Sequence, residues 1–247
     1  MCTRFVLEQD RLRALIAALD PASLAQLAAT TNATRYNIAP GTSLLALRSV
    51  AARSTGDVAR TPASNAIFNP RWGLIPSWAR DATRPSVNAR AESLAERPAF
   101  RDAFRHRRCV VPASAFYEWE ARGRSRHPWL FRRRDGQAFF FAALWEIWPA
   151  LDGAPLETCA LVTTAANPTV APIHDRMPAL LDTQAAHLWL DPATPPAALG
   201  ALLQPAADDL LASTELIRRI NHLEHDDPAC LTPASAAPPD DQFTLGL

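Results

Sequence analysis

The sequence predicts an α+β fold, a single domain in which short helices flank a mixed, barrel-like β-sheet. The chain has 247 residues, of which 48% are hydrophobic, and this is enough for one sizeable core. Segments rich in β-branched and aromatic residues recur along it, but they alternate irregularly with helical segments and show no βαβ repeat. This order favours a mixed sheet over a doubly wound parallel one.

The first predicted element is helical. Residues 10–29, DRLRALIAALDPASLAQLAA, place apolar side chains at helical spacing and are interrupted by Pro21. Because a proline inside a helical pattern ends the helix, we predict one helix or a helical hairpin. Residues 49–66 are polar and rich in small side chains, which predicts a loop between a strand at 44–47 and the next strand at Ile67.

Three later segments combine β-branched and aromatic residues, and we predict strands there. They are residues 107–119 (RRCVVPASAFYEW), 137–148 (QAFFFAALWEIW) and 158–164 (TCALVTT). The tail after Pro233 is rich in Pro and Asp, which predicts disorder. The domain is therefore predicted to span residues 1–232, followed by a disordered tail at 233–247.

The cysteine pattern and the absence of long apolar runs exclude several protein classes. Cysteines at 2, 109, 159 and 230 show no CxxC spacing and no neighbouring histidine pattern, which argues against a zinc site and a disulfide framework. We predict no metal and no cofactor. No apolar run approaches the roughly 18 to 20 residues of a membrane span, and no signal-peptide pattern opens the chain. A cytoplasmic protein without membrane contact is expected.

Charge is balanced overall but unevenly distributed. Residues 71–134 carry 15 Arg against 6 acidic side chains, whereas residues 135–247 carry 3 Arg against 15 acidic side chains. The basic block also holds many aromatic residues, a combination that suits phosphate binding and base stacking. The alternative is a solvated face whose arginines pair with the acidic last part of the chain. The charge pattern leaves both interpretations open.

The second residue carries the most specific chemical signal. Removal of Met1 makes Cys2 the N-terminal residue, a 1,2-aminothiol with an α-amine pKa of about 7.7 to 8.0 and a thiol pKa of about 8.5. This pair suits aldehyde capture, in which the amine forms an imine and the thiol closes a thiazolidine ring. All 25 basic residues are arginines, so the chain has no lysine. Schiff-base chemistry must therefore use the N-terminus.

Several ordered segments resemble one family along most of the chain. They are MCTRF at the start, RYNIAP at 35–40, WGLIPSWARD at 72–81, residues 88–120 from NARAES to FYEWE, TTAANPTVAPIHDRMPALL at 163–181 and, more weakly, RRINHLEHDDP at 218–228. This set is similar to the SRAP family, the SOS response-associated peptidases or abasic-site processing proteins. The resemblance implies the SRAP fold. It also implies a protein that senses abasic sites in single-stranded DNA and links to them covalently through a thiazolidine, with AP-lyase activity as a variant.

The resemblance also implies a set of catalytic residues beside Cys2. The matching positions are Asn88 in the NAR segment, Glu118 in FYEW and His174 in IHDRMP. A carboxylate at Glu118 suits deprotonation of the amine and later proton return to the hemiaminal, and its aromatic neighbours would raise its pKa. His174 suits protonation of the sugar ring oxygen near neutral pH. Asn88 is expected to orient the amine or the sugar hydroxyls without adding charge.

A second set of residues is expected to hold the DNA strand. Arginines suit phosphate contacts, and aromatic rings suit base stacking or wedging. The alternative for the two tryptophans is a place in the core. The predicted DNA-binding residues are Arg4, Asn37, Pro40, Trp72, Arg90, Trp119, Thr163 and Arg176.

One position departs from the family pattern, and other function classes stay open. Thr3 stands where the family usually has glycine, and its β-branched side chain restricts the backbone next to the nucleophile. The alternatives are a thiol peptidase that uses Cys2, and a single-stranded DNA module without covalent chemistry. A monomer is expected, with association to the nucleoid when bound to DNA and with replication-fork proteins as further partners.

Overall fold

The computed structural model describes residues 2–28, 33–50, 64–150 and 153–236. The strands are β1 (Phe5–Leu7), β2 (Arg35–Ile38), β3 (Ala46–Val50), β4 (Ser64–Phe68), β5 (Arg71–Trp72), β6 (Asn88–Arg90), β7 (Arg108–Ala113), β8 (Ala115–Arg122), β9 (Ser125–Arg133), β10 (Phe139–Pro149), β11 (Pro155–Ala165), β12 (Arg176–Pro178), β13 (Leu180–Leu181) and β14 (Leu211–Glu215). The helices are α1 (Gln9–Leu19), α2 (Ser23–Ala28), α3 (Arg101–His106), α4 (Thr183–Leu190) and α5 (Pro196–Ala201). Short 3-10 turns lie at Ala91–Ser93, Arg218–Asn221, Pro228–Leu231 and Ala234–Ala236.

The strands form two sheets, which confirms the predicted α+β class. One sheet has the order β14-β9-β8-β1-β2. The other has the order β12-β11-β10-β7-β3-β4, with β13 paired to β10 and both β5 and β6 paired to β11. Over the described residues neither strand order returns to its first strand. The architecture is thus two open sheets and not a closed barrel.

The core lies where aromatic rings of the two sheets meet. Phe5 and Phe116 of the first sheet lie 5.4 and 6.4 Å, between ring centroids, from Phe141 of the second. Phe131 stacks on Phe116 at 5.2 Å. Each of these rings is at most 1% exposed. Burial of such large apolar surfaces is the main term that holds the two sheets together.

The predicted helical hairpin is confirmed. Helix α1 ends at Leu19 and α2 begins at Ser23, with Pro21 in the turn between them. The apolar stripe of α1 faces inward, since Leu12 and Ile16 are 2% and 0% exposed. A helix with one apolar face is stabilised mainly by this packing.

The three predicted strand segments are confirmed, but several strands were missed. Residues 107–119 contain β7 and the first part of β8, 137–148 contain most of β10, and 158–164 lie within β11. The longest of the missed strands is β9, SRHPWLFRR, where arginines and Pro128 obscure the pattern. Pairing with β8 on one side and β14 on the other nevertheless makes it an interior strand.

Two predicted irregular segments fall largely outside the described residues. In the predicted loop at 49–66, β3 extends to Val50 and β4 begins at Ser64, while residues 51–63 lie outside the described part. In the predicted tail, Ala234–Ala236 form a 3-10 turn and Pro233 bridges to Leu216. The rest of that tail, 237–247, also lies outside the described part.

Candidate functional site

Strand pairing brings the N-terminus to Glu118. Strand β1 is antiparallel to β8, with Phe5 opposite Phe116 and Val6 opposite Ala115. The Tyr117 amide donates to the Arg4 carbonyl at 3.1 Å, so the pairing continues beyond the named strand. In the same register Thr3 lies across from Glu118. The segment just after Cys2 is therefore held beside a carboxylate more than a hundred residues away in the chain.

The Cys2 side chain is fully buried, which changes its expected chemistry. Its sulfur lies 3.7 Å from the Arg4 carbonyl oxygen. Burial, with a smaller contribution from the Glu118 charge, raises the pKa of the Cys2 thiol well above its ordinary value. The sequence-based expectation of a thiol that needs only modest activation is therefore wrong for the folded chain. At neutral pH the sulfur is a thiol and not a thiolate.

Glu118 is a buried carboxyl group, only 2% exposed. Burial raises its pKa to about 7, and the nearby charge of Asp175 acts in the same direction. Both protonation states are therefore populated near neutral pH. A group of this kind can accept a proton in one step and return it in the next.

Asn88 holds the backbone of Cys2. Its Nδ2 donates to the Cys2 carbonyl oxygen at 2.9 Å. Its Oδ1 is buried and accepts no hydrogen bond from any residue that the structure describes. Strand β6, which carries Asn88, runs parallel to β11 with Asn88 opposite Leu161. The amide is thus fixed at one end and has an open acceptor at the other.

His174 lies in the connection between β11 and β12. Its Nδ1 accepts the backbone N–H of Arg176 at 2.9 Å and lies 3.0 Å from Asp175 Oδ1. Burial lowers the pKa of the imidazole below its ordinary value, which favours the neutral ring. The two contacts at Nδ1 fix the orientation of the imidazole.

Two of these side chains, Glu118 and His174, border a cavity of about 580 Å³, whereas Cys2 and Asn88 are not among its lining residues. It is lined by Thr3, Arg4, Glu118, Trp119, Arg126, His174 and Asn221. Sequence reasoning did not single out Arg126 or Asn221. The weakly matching segment at 218–228 contains Asn221 and was the available signal for it, whereas Arg126 was one arginine among many in the basic block. Thr3, the departure from the family pattern, lies on the cavity wall.

Arg4 and Asn37 form one supported unit. The Arg4 Nη1 donates to Asn37 Oδ1 at 2.7 Å and to the Ile220 carbonyl at 3.1 Å. Asn37 is 3% exposed, and its Nδ2 donates to the carbonyls of His222 and His225. The structure therefore places Asn37 as an internal support for Arg4, and not on the cavity surface.

The two tryptophans have different places. Trp72 is 1% exposed, its ring packs against Phe5 at 5.5 Å, and its indole N–H donates to the Val87 carbonyl. Trp72 therefore lies in the core, which was the alternative to a DNA-binding role for the two tryptophans. Trp119 is half-buried on the cavity wall, and its indole N–H donates to Asn221 Oδ1 at 2.6 Å. Pro40 is half-buried and precedes Gly41, whose amide donates to the Trp72 carbonyl.

Arg90, Thr163 and Arg176 lie at one end of β11, with β6 on one side of that strand and β12 on the other. Thr163 lies opposite Arg90 of β6, and the next residues of β11 pair with β12, which begins at Arg176. Arg90 is exposed. Thr163 is fully buried, and its Oγ1 forms no hydrogen bond within the described residues. The Arg176 guanidinium donates to both Glu92 carboxylate oxygens, at 2.7 and 2.9 Å, and to the Thr163 carbonyl.

Neither a metal centre nor a membrane span is found in the described part of the chain. Groups of three or more His, Cys, Asp or Glu side chains placed to hold a metal ion do not occur there. None of its helices combines the length and apolar character that crossing a bilayer requires.

Known proteins resemble this chain in sequence and in fold. Residues 1–223 match the family model described as SOS response associated peptidase (SRAP). Abasic site processing protein YoqW of Bacillus subtilis is 34% identical over 197 residues, covering 78% of this chain and 83% of that protein. Abasic site processing protein YoaM of the same organism is 36% identical over 206 residues, covering 76% and 86%.

A solved structure agrees with this assignment at the level of the fold. A crystal structure of a protein from Bacteroides thetaiotaomicron superposes with a TM-score of 0.75 at 24% identity, over 94% of this chain and all of that one. The two-sheet architecture is therefore shared with an experimentally determined protein. The match of the family model over most of the sequence shows that this chain belongs to the SRAP family.

Proposed function

We propose that this protein captures abasic sites in single-stranded DNA by forming a thiazolidine between its N-terminal Cys2 and the lesion. The observation that carries the proposal is the position of Cys2, whose carbonyl is held by Asn88 and whose neighbour Thr3 faces Glu118. The names of the relatives, abasic site processing proteins, support the same class of DNA substrate. Removal of Met1 is the first requirement, since only then is the Cys2 nitrogen an amine.

The first chemical step is imine formation. A neutral α-amine attacks the C1′ aldehyde of the ring-opened sugar, forming a C–N bond and a hemiaminal. Glu118 accepts the proton that the nitrogen loses and then protonates the hydroxyl, which leaves as water. A pKa of about 7 suits both transfers. Asn88 holds the Cys2 carbonyl through Nδ2, and its open acceptor Oδ1 is assigned the task of orienting the amine.

His174 is proposed to assist ring opening. An abasic sugar reacts only as its open-chain aldehyde, so the ring oxygen must gain a proton as the C1′–O4′ bond breaks. The imidazole accepts the proton of the C1′ hydroxyl and delivers a proton to the ring oxygen, so it is neutral again once the ring has opened. Its Nδ1 is fixed by the backbone N–H of Arg176, which holds the ring orientation.

The thiol completes the adduct. The sulfur adds to the imine carbon, forming the C–S bond, while its proton moves to the imine nitrogen, which becomes the ring amine. The net change from protein and DNA is the loss of one water. Because burial keeps the thiol protonated until then, the amine reacts first. A thiol peptidase instead needs a thiolate of lowered pKa, which this environment opposes.

The DNA-holding surface is proposed to include the cavity wall and the sheet edge. Trp119 offers an aromatic face, and Arg4 is held near it, with its guanidinium carbon 5.8 Å from the ring centroid. Arg90 is exposed on the edge strand β6, and Arg176 lies on β12, on the other side of β11. These groups supply the stacking and phosphate contacts that single-strand binding requires.

Glu92 is expected to compete with a DNA phosphate for Arg176. It occupies both ends of the guanidinium fork, and its side chain is 55% exposed. The Glu92→Gln substitution removes the competing charge, and from the usual worth of an exposed ion pair we expect intact single-stranded DNA to bind about two- to fivefold more tightly. Fluorescence anisotropy with a labelled oligonucleotide measures the change.

Glu96→Gln is the matched control for this prediction. It removes the same charge from an exposed position four residues further along the chain. We expect it to leave the dissociation constant close to that of the wild type. Weaker binding by the Glu92→Gln variant would instead mean that Glu92 holds Arg176 ready for the phosphate and does not compete with it.

The covalent reaction is tested with two oligonucleotides that differ at one carbon. Protein lacking Met1 is incubated with a single strand that carries one abasic site, or with the same strand after borohydride reduction of the aldehyde to an alcohol. We expect a heat-stable product of mass protein plus DNA minus one water with the first strand only. Binding of both strands without this product would make the protein a non-covalent DNA module.

A further inference from the structure

Arg126 lines the same cavity as Glu118 and His174, but the catalytic scheme gives it no role. It belongs to β9 and lies opposite Ala121 of β8. Its residue is exposed, and no ion pair or side-chain hydrogen bond of its guanidinium occurs among the described residues. A guanidinium without such contacts keeps all five of its N–H donors available for a ligand.

Two other arginines of the site, Arg4 and Arg176, are engaged by protein groups. Arg4 uses its Nη1 for Asn37 and for the Ile220 carbonyl. Arg176 is held by both carboxylate oxygens of Glu92. A phosphate that approaches Arg126 displaces no protein partner, and it gains a charge-assisted contact at the cost of desolvation alone.

Asn221 ties Arg126 to the aromatic wall of the cavity. Its Nδ2 donates to the Arg126 carbonyl at 3.3 Å, while its Oδ1 accepts the indole N–H of Trp119 at 2.6 Å. One side chain therefore fixes both the backbone of Arg126 and the orientation of the Trp119 ring. The free guanidinium and the aromatic ring form a single supported wall of the cavity.

We propose that Arg126 binds a backbone phosphate of the nucleotide next to the lesion, whose base stacks on Trp119. A nucleotide presents an anionic group and a flat ring, and this wall presents a guanidinium and an indole. The inference rests on the proposed function, because it concerns how the same DNA strand is held in the same cavity. It makes Arg126 a binding residue and leaves the proton transfers to Glu118 and His174.

Arg126→Ala is tested against Arg124→Ala, with both proteins processed to remove Met1. Arg124 is exposed on the same β-hairpin, next to Gly123 in the turn, and does not line the cavity. The two variants therefore lose the same charge two residues apart. Equal thermal melting temperatures establish that both are folded.

Two measurements separate binding from chemistry. For Arg126→Ala we expect weaker binding of an intact single strand and a plot of log affinity against log salt that is shallower by about 0.7, the change for one lost phosphate contact. With abasic DNA, we expect a higher half-saturating DNA concentration but the same adduct rate at saturation. Arg126→Lys keeps the charge, and we expect it to retain the wild-type salt slope.

Three results would overturn the inference. The first is an Arg126→Ala variant with the affinity and salt slope of Arg124→Ala. The second is an unchanged affinity with a slower saturated rate, which would place the effect of Arg126 on the imidazole of His174. The third is an Arg126→Lys variant whose salt slope is as shallow as that of Arg126→Ala. In each of these cases adduct formation by the wild type would still support the proposed function, and its absence would refute that function separately.

Discussion

Exchanging the Cys2 sulfur for oxygen is expected to abolish the heat-stable adduct while leaving an imine that borohydride traps. A Cys2→Ser chain lacking Met1 keeps its α-amine, so the first step continues, but the thiol that closes the ring is gone. The trapped product must lie at the N-terminus because the chain contains no lysine. Denaturing electrophoresis with and without borohydride, followed by peptide mass mapping, measures both products.

Cys230→Ser is the control for this prediction. Cys230 is also fully buried, and its thiol donates to the His225 carbonyl at 3.5 Å, a bond that a hydroxyl can reproduce. We expect it to form the adduct at the wild-type rate. A heat-stable adduct that persists in Cys2→Ser but disappears in another cysteine variant would contradict the assignment of the nucleophile.

Replacing Glu118 with Gln is expected to slow adduct formation by about 10² to 10⁴, the usual contribution of a general acid–base group. The amide cannot accept the proton of the amine or return it to the hemiaminal. In the wild type the carboxylate form increases with pH around a pKa of about 7, so the rate rises through that value. This inflection should be absent from the Gln variant, which keeps only the dependence set by the α-amine. Single-turnover rates between pH 5 and 9 measure it.

Glu120→Gln is the matched control on the same strand. Its carboxylate accepts hydrogen bonds from Arg122 and Trp129, away from the catalytic groups, and we expect the rate and its pH dependence to stay unchanged.

The Glu118→Gln chain must also be folded. Burial raises the Glu118 pKa above its ordinary value, so ionisation of this group costs native stability as pH rises through about 7. Relative to the wild type, the variant should gain stability in urea at pH 8.5 and show no such gain below pH 4.5. An unaltered pH–rate inflection in a folded Glu118→Gln protein would assign that inflection to another group.

Local sequence patterns predicted much of the fold. The helical hairpin and the three apolar strand segments follow from spacing and residue type, which act over a few neighbouring residues. Strand β9 was missed because its arginines and Pro128 mask the alternation that burial reveals. The pairing of β5 and β6 with β11 joins segments about 70 to 90 residues apart, and no local pattern encodes it.

The sequence by itself determined which aliphatic amine is available for Schiff-base chemistry. A cysteine at position 2 and a chain without lysine restrict amine chemistry to the N-terminus, whatever the fold. The family motifs selected Asn88, Glu118 and His174, and the structure brings Asn88 to the Cys2 carbonyl and the other two to one cavity wall. Their roles in the reaction stay predictions that the variants above test.

Only the tertiary structure decided the protonation states and the contacts of these groups. The Cys2 thiol is held protonated and the Glu118 pKa is raised because both are removed from water by strands distant in sequence. In the same way, Trp72 became a core residue, Arg176 acquired Glu92 as a partner, and Arg126 emerged on the cavity wall. Desolvation and charge pairing depend on neighbours in space, and these neighbours exist only once the two sheets have formed.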